Sequence, residues 1–364
     1  MSPVIDLSTA SSAPVSSAPV CVTGAAGYIA SHVVAQLLAG GYRVRGTVRS
    51  LRKEKEKDVA HLRALPNAAT HLELVEADLM KPGSFDAAVA GCEYVIHTAS
   101  PYLLNAQDPQ KDLVDPAVQG TRTVLQSCKK AGSVRRVVLT SSMAAITDEP
   151  DSDHVLTEAD WNTKSTLDRN AYYLSKTLAE REGWRFIEEE KPGFDLVVIN
   201  PFLVIGPSLS AAVNTSPQMF LDLLAGAYPG IMNLAWGFVD VRDVARAHIL
   251  AMQTQAASGR YICANTTISM RDVVELMRKS GYEGYKLPNL GFDCSVGDYV
   301  VRLSSYLQPK GIGSYLRTHV GRVPRFDHGK IVRELGLAFR PLEQSILDTL
   351  DDLKRWGHIG PPKA

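Results

Sequence analysis

Hydrophobic and polar positions follow a repeating order along the first half of the chain, in which short apolar runs alternate with amphipathic stretches. The apolar runs occupy residues 20–23, 42–48, 72–76, 94–97 and 137–139. Residues 31–38 and 113–131 carry apolar side chains three and four positions apart, which is the spacing of one helix face. Strands that alternate with helices in this rhythm predict a doubly wound parallel sheet of the α/β class.

The second half of the chain is less regular, and it predicts a smaller α/β region beside the main sheet. Its features are a polar loop over residues 208–217, a short helix over 219–225, a segment over 291–321 that holds Tyr299, Tyr306 and Tyr315, and an amphipathic helix over 342–356. We therefore expect a disordered tail over residues 1–19, a main domain over 20–205 and a second region over 206–364. Segments near 238–263 are expected to return to the main domain.

The charge balance argues against a nucleic-acid or membrane partner. Lysine plus arginine equals aspartate plus glutamate at 39 each, and no basic block is long enough to mark such a surface. No apolar run approaches the roughly 20 residues that span a bilayer. Residues 1–19 are rich in serine, alanine and proline and lack the basic start of a secretory signal. An organelle transit peptide is the alternative reading, although the arginines typical of one are missing.

Cysteine usage indicates reduced thiols in a cytoplasmic setting. The five cysteines are scattered, and no CxxC pair or Cys/His cluster occurs, so we expect no structural metal. Cys92 and Cys128 stand in apolar surroundings and are interpreted as core residues rather than redox groups.

A turn of small residues between the first strand and the first helix is the first candidate binding feature. Thr23, Gly24, Gly27 and Ala30 form the pattern TGxxGxxA, and Tyr28 and Ile29 open the helix. Glycines at such a junction let the backbone approach a pyrophosphate, and the helix N-terminus favours its negative charge. The pattern therefore predicts a dinucleotide site, although small residues also mark many ordinary strand-to-helix turns.

The end of the second strand indicates which dinucleotide binds. NAD-binding versions of this unit place an acid there for the adenosine ribose hydroxyls, whereas this chain has Arg49, followed by Lys55 and Lys57 within a mixed charged run. Guanidinium and ammonium groups suit a 2′-phosphate, so we expect NADP(H) rather than NAD(H). The alternative is that Arg49 is simply an exposed side chain.

Small and acidic residues follow the third and fourth strands, at the sheet edge where open α/β folds bind ligands. Asp78 and Leu79 follow the third strand, and Thr98, Ala99 and Ser100 follow the fourth. The Asp78 carboxylate can accept a hydrogen bond from an adenine amino group, or it can simply cap the turn that follows the strand.

A tyrosine and a lysine four residues apart supply the candidate chemistry. Tyr172 and Lys176 project from one face of a predicted helix, about one turn apart. A phenol, whose reference pKa is ~10, becomes a better general acid beside an ammonium group, which stabilises its anion. Tyr173 has Thr177 four residues later, so it has no ammonium group at the corresponding position.

Together these motifs resemble an extended short-chain dehydrogenase/reductase, in the group of dihydroflavonol reductases, cinnamoyl-CoA reductases and microbial aldehyde and ketone reductases. The resemblance covers roughly residue 20 to the C-terminus. It rests on the glycine turn, Val48-Arg49, Ala77-Asp78-Leu79, Thr140-Ser141-Ser142, Tyr172 with Lys176, Asn200-Pro201 through Gly206-Pro207, and Gly259-Arg260-Tyr261.

The resemblance implies a Rossmann domain that binds NADP, a substrate-binding region in the second half, and a role for each motif residue. Tyr172 would protonate the developing alkoxide, Lys176 would hold the nicotinamide ribose, and Ser142 would hydrogen-bond the substrate oxygen. Pro201 and Val204 would meet the nicotinamide. Tyr102, Met143, Phe202 and the region over 206–237 are expected to line the pocket of a small carbonyl substrate, in a monomer or homodimer. The segment over 291–321 is longer than in the usual family member, and we expect it to cover the pocket or to form an interface.

Two departures from the family pattern narrow the expected substrate. The segment from Asn170 to Lys176 does not match the NWYCYGK-like segment of cinnamoyl-CoA reductases, and Thr147 stands where plant dihydroflavonol reductases have an asparagine. NADPH-dependent reduction of varied aldehydes and ketones is therefore the favoured function. A nucleotide-sugar epimerase or dehydratase and a non-catalytic NADP-sensing protein are the alternatives.

Overall fold

A seven-stranded, fully parallel sheet forms the centre of the fold. The computed structural model describes residues 17–52, 55–100 and 108–362, so nearly all of the expected tail, and Tyr102, lie outside the described residues. The strand order is β11-β7-β5-β4-β1-β2-β3, so the chain builds the sheet outward from β1 in one direction and then from β4 in the other. This order confirms the doubly wound Rossmann-type sheet. The strands are β1 Val20–Thr23, β2 Val44–Val48, β3 Leu72–Glu76, β4 Tyr94–His97, β5 Arg136–Thr140, β6 Val155–Leu156, β7 Asp195–Pro201, β8 Leu203–Ile205, β9 Ile231–Met232, β10 Ala235–Asp240, β11 Gly259–Cys263, β12 Thr266–Ser269, β13 Gly291–Phe292 and β14 Arg325–Phe326.

Helices cover both faces of the sheet, and alternate strand residues belong to different cores. In β1, Val20 and Val22 join one hydrophobic cluster, whereas Cys21 joins the other. This is the period-two alternation of a strand that is buried on both faces. Cys92 and Cys128 lie in the second cluster, which confirms them as core residues. The helices are α1 Tyr28–Ala39, α2 Glu56–Arg63, α3 Ala68–His71, α4 Asp86–Val89, α5 Asp115–Ala131, α6 Ala171–Glu190, α7 Thr215–Ala225, α8 Val241–Gln253, α9 Met270–Met277, α10 Ser295–Ser304, α11 Lys310–His319, α12 Gly329–Leu335 and α13 Leu342–Arg355.

Several predicted boundaries in the chain differ from the observed ones. The second strand begins at Val44, two residues later than its apolar alternation indicated. The helix predicted over residues 113–131 begins earlier, with a π-helical turn over Gln110–Val114 that continues into α5. The predicted loop over 208–217 is too long, because α7 already starts at Thr215 and carries Pro217 in its first turn, where a missing N–H costs nothing.

The second half of the chain builds a smaller layer around its own hydrophobic cluster. In its three-stranded sheet, β10 pairs parallel with β8 and antiparallel with β12. The chain returns to the main sheet through β11, which pairs with β7. The long segment over residues 291–321 folds mainly into α10 and α11. Among the described residues, no helix has the length and apolar character needed to cross a membrane.

Candidate active site

One cleft of about 1710 Å³ runs along the carboxyl ends of the central strands and continues between the two halves of the chain. It exceeds the roughly 300–1,000 Å³ of ordinary small-molecule sites, so it has room for a dinucleotide and a second compound together. Of the residues predicted for a site, it is lined by Gly24, Gly27, Tyr28, Ile29, Arg49, Lys55, Asp78, Leu79, Thr98, Ala99, Ser100, Ser142, Met143, Tyr172, Lys176, Pro201, Phe202 and Val204.

The glycine turn has the shape that a pyrophosphate requires. Gly24 has φ +64°, and a Cβ added there would lie 3.1 Å from the Cα of Ala99, so only glycine fits without strain. Helix α1 begins after Gly27, no side chain caps this end, and its first turn holds no acidic residue. The first N–H groups of α1 therefore remain available for an anion at the positive end of the helix dipole.

Thr23 does not reach this cleft, although the sequence pattern includes it. Its side chain is buried, and its hydroxyl oxygen lies 3.1 Å from the backbone nitrogens of Thr98 and Ala99, which donate to it. The Nδ1 atom of His97 lies 2.8 Å away on the same hydroxyl. Burial lowers the pKa of His97 to about 3, so this imidazole is neutral at pH 7. Thr23 therefore holds the loop after β4 against the glycine turn.

The basic residues predicted for a 2′-phosphate divide into two groups. Arg49 is exposed at the carboxyl end of β2 and lines the cleft, as does Lys55, whose ammonium also lies 3.7 Å from the Asp58 carboxylate. Lys57 is exposed and lies outside the cleft lining. Glu76, which pairs with Val48 at the end of this strand, accepts a hydrogen bond of 2.5 Å from the backbone N–H of Leu51.

Asp78 caps the turn that follows β3, which is one of the two roles that the sequence left open. Its Oδ1 accepts a hydrogen bond of 2.9 Å from the backbone N–H of Met80, and its own N–H donates to the Ser84 hydroxyl at 2.8 Å. The side chain is nevertheless exposed on the cleft, and its second oxygen can accept a further hydrogen bond.

Helix α6 brings the predicted tyrosine and lysine to the middle of the cleft. The Lys176 ammonium lies 5.7 Å from the centre of the Tyr172 ring, and it donates a hydrogen bond of 2.9 Å to the Ser100 hydroxyl. Burial lowers the pKa of Lys176 to about 8, which is close to physiological pH. Ser100, a predicted cofactor residue, therefore also orients the lysine.

The two neighbouring serines after β5 have different environments. Ser141 is buried, and its hydroxyl donates to Glu180 at 2.5 Å. Ser142 is half-buried on the cleft, where its Oγ accepts from the Ala144 N–H at 3.1 Å and keeps its own proton for another acceptor. Ser142 is thus the serine with a hydroxyl available to a ligand.

A buried ion pair behind these residues was not assigned a role from the sequence. Glu180, one turn after Lys176, accepts from the Arg260 guanidinium at 2.6 Å and from the Asn200 side-chain amide at 2.8 Å. The same amide group lies 3.2 Å from the carbonyl oxygen of Ser142. Asn200 and Arg260 belong to the quoted motifs. Only the fold shows that they connect β7, β11 and the loop after β5 to Glu180 on α6.

The far wall of the cleft comes largely from α10 and α11, in the segment that the sequence led us to expect over a pocket or at an interface, and Tyr315 is its one member that the sequence analysis named. Val301, Ser304, Ile312, Tyr315, Leu316 and His319 line it. Met143 and Phe202 line the cleft as predicted, and the Phe202 ring lies 6.0 Å from that of Phe326. His319 follows Tyr172 by well over a hundred residues in the chain, so no local pattern could join the two.

Comparison with known proteins gives concordant matches in sequence and in structure. The family model described as the NAD dependent epimerase/dehydratase family matches residues 20–264. The cinnamoyl-CoA reductase CAD2 of Medicago truncatula is 39% identical over 340 residues, which are 92% of this chain and 95% of that protein. The tetraketide alpha-pyrone reductase 1 of Arabidopsis thaliana is 39% identical over 348 residues, with 93% and 96% covered. The solved structure of yeast methylglyoxal/isovaleraldehyde reductase Gre2, complexed with NADPH, has a TM-score of 0.77 at 32% identity and covers 94% of this chain and 100% of that one.

Proposed function

This chain belongs to the NAD dependent epimerase/dehydratase family, and we propose that within that family it is an NADPH-dependent reductase that converts an aldehyde or ketone to an alcohol. The resemblance seen in its motifs, to the extended short-chain dehydrogenase/reductases, is confirmed by its relatives. The observation that carries the proposal is the single cleft that holds Ser142, Tyr172 and Lys176 in its middle and Arg49 at one end.

The cofactor proposal rests on the shape and the charge of the first half of the cleft. The glycine turn packs closely on Ala99 at Gly24 and presents the uncapped N-terminus of α1 to a pyrophosphate. Arg49 offers a fork of N–H donors to a 2′-phosphate, and Lys55 adds a second cation beside it. The Gre2 neighbour was solved with NADPH, which supports the same choice here. When bound, NADPH supplies the hydride that reduces the carbonyl carbon.

The residues of the chain handle the oxygen atom of the substrate. The Ser142 hydroxyl donates a hydrogen bond to the carbonyl oxygen, and Tyr172 gives its phenolic proton to that oxygen as negative charge develops on it. The Lys176 ammonium stabilises the tyrosinate that remains, and Ser100 fixes the position of the ammonium. Donors already aimed at the developing charge are the arrangement from which catalysis gains most.

Absorbance measurements of NADPH and NADH oxidation test this proposal across an aryl ketone, methylglyoxal, a dihydroflavonol and a cinnamoyl thioester. We expect turnover of the simple carbonyl compounds with NADPH. A response to the dihydroflavonol or the thioester alone would instead indicate a dedicated pathway enzyme. Tight NADPH binding with no turnover of any compound would contradict the proposal and favour a sensor or a nucleotide-sugar enzyme.

Replacing Arg49 by alanine is expected to change the cofactor preference. A hydrogen bond to a charged group contributes about 1.5–3 kcal/mol, so the dissociation constant for NADPH should rise roughly tenfold or more, whereas that for NADH should hardly change. Fluorescence titration of the purified protein measures both constants. Arg43→Ala is the control, because Arg43 is an exposed arginine at the opposite end of β2. An equal rise in the dissociation constants for NADPH and NADH would show that Arg49 does not contact the 2′-phosphate.

The low pKa of Lys176 predicts a decline in activity on the alkaline side. Its ammonium is charged below a pKa of about 8 and loses its proton above it, so kcat/KM for NADPH should fall by up to about tenfold per pH unit as pH rises beyond that value. A guanidinium stays charged in this pH range, so the Lys176→Arg variant should show no alkaline decline in kcat/KM, although its kcat/KM is lower than that of the wild type. A wild-type profile that stays flat through this range would contradict the assignment.

A further inference from the structure

A chain of aromatic rings extends from the candidate proton donor to α11. The Tyr172 and Tyr173 rings meet edge to face at 6.0 Å, and the His319 ring lies 5.6 Å from Tyr173. His319 in turn stacks on Tyr315 at 4.1 Å with an interplanar angle of 19°. The Trp236 N–H donates to the Tyr315 hydroxyl at 2.9 Å, and all five residues line the cleft. We call Tyr173, Trp236, Tyr315 and His319 the aromatic wall.

Both ring nitrogens of His319 have polar neighbours, and this buried ring presents no charge to the cleft that it lines. Its Nδ1 lies 2.8 Å from the Thr318 hydroxyl and 3.1 Å from the carbonyl oxygen of Tyr315. Its Nε2 lies 3.4 Å from the Tyr173 hydroxyl. Burial lowers the pKa of His319 to about 4, so the ring is neutral at pH 7 even though the Asp148 and Glu149 carboxylates favour its charged form.

Helix α11 is fixed to the start of the helix that carries Tyr172. Asn170 precedes α6, and its backbone N–H donates to the Ser314 hydroxyl at 3.2 Å. Its side-chain amide donates to Thr318 at 3.1 Å and to the Asp148 carboxylate. The wall therefore has a defined position relative to the Tyr172 hydroxyl, which is what a surface needs to discriminate between substrates.

The charges around the wall do not suit a polyphosphate. The described charged residues that line this half of the cleft are Asp168, Asp222 and Lys310, of which two are acidic. An acyl-CoA thioester would bring several phosphate charges beside these acids, whereas a neutral ring would gain contact with the faces of the wall.

We propose that the aromatic wall is the subsite for the non-reacting part of the substrate, a flat and uncharged ring attached to the carbonyl group, and that His319 determines the selectivity for it. This inference rests on the proposed function for the reaction itself. A ring packed on the wall places the carbonyl group beside Tyr172. A small aliphatic carbonyl compound reaches Tyr172 without using His319.

The test compares His319→Ala with the wild type on acetophenone and methylglyoxal. We expect kcat/KM for acetophenone to fall by about tenfold or more, mainly through KM, with little change for methylglyoxal. His319→Phe keeps a ring on Tyr315 and should retain most of the preference for acetophenone. Tyr299→Ala is the control, since that tyrosine lies in the same segment but is 70% exposed. Equal losses on both substrates in both His319 variants would overturn the proposal.

A binding measurement separates this inference from the proposed reaction. Saturation-transfer NMR follows acetophenone on the protein loaded with NADP+, and the signal should weaken in His319→Ala but not in Tyr299→Ala. Binding of acetophenone without turnover would contradict the reductase while leaving the subsite in place, whereas absence of binding would overturn the subsite. As a test of charge, kcat/KM should be higher for cinnamaldehyde than for cinnamoyl-CoA, and the reverse order would also overturn it.

Discussion

Replacing Tyr172 by phenylalanine should lower kcat for carbonyl reduction by roughly 10²–10⁴-fold, the contribution typical of a positioned general acid. The variant keeps the ring beside Lys176 and loses only the phenolic hydroxyl, so the cleft retains its shape. NADPH binding should remain nearly intact, because the glycine turn and Arg49 lie at another part of the cleft. Steady-state rates and a fluorescence titration with NADPH measure the two effects separately.

The control for this variant is Tyr306→Phe, which removes a hydroxyl from a tyrosine that is 73% exposed in the segment after α10. It should leave both rate and binding unchanged. A Tyr172→Phe variant that lost NADPH binding as strongly as turnover would show that the hydroxyl serves the cofactor rather than the proton transfer. Retention of full activity would assign the proton to another group and remove the central step of the proposed mechanism.

Much of the main sheet could be predicted from the chain because its determinants are local. The strands Leu72–Glu76 and Tyr94–His97 begin and end where the apolar runs do, since each run is followed at once by small or polar residues. Tyr94–His97 is mostly buried, whereas Leu72–Glu76 lies at the sheet edge and alternates half-buried residues with exposed glutamates. The placement of Tyr172 and Lys176 on one helix followed from their spacing alone. In such stretches, the pattern within ten residues already states which face is buried.

The parts that could not be predicted depend on contacts between distant segments. The sequence marks Thr23 as part of the glycine turn, yet the fold turns its hydroxyl to the backbone after β4. The sequence cannot tell whether Asp78 caps a turn or faces a ligand. In the structure it caps the turn and also lines the cleft. His319 becomes a cleft residue only because α11 packs against the start of α6.

The buried ion pair between Arg260 and Glu180 leads to the largest expected effect on stability. Arg260→Met should lower the free energy of unfolding by about 3–5 kcal/mol, because it leaves the Glu180 carboxylate buried without a counter-ion. The methionine also removes donors to the carbonyl oxygens of Glu158 and Asp160 and the guanidinium that stacks on Trp161 at 3.9 Å. Urea unfolding monitored by tryptophan fluorescence measures the loss.

Two further variants separate the buried charge from general disruption. Asp293→Asn breaks the ion pair with Arg271, whose side chain is 44% exposed, and should cost at most about 1 kcal/mol. Adding Glu180→Gln to Arg260→Met removes the unpaired charge, so it should recover part of the lost stability. If Arg260→Met lost as little stability as Asp293→Asn, water would have to reach the ion pair between Arg260 and Glu180. Because Asn200 joins Glu180 to the Ser142 carbonyl, the unpaired carboxylate should also displace Ser142 and lower activity at temperatures where the variant remains folded.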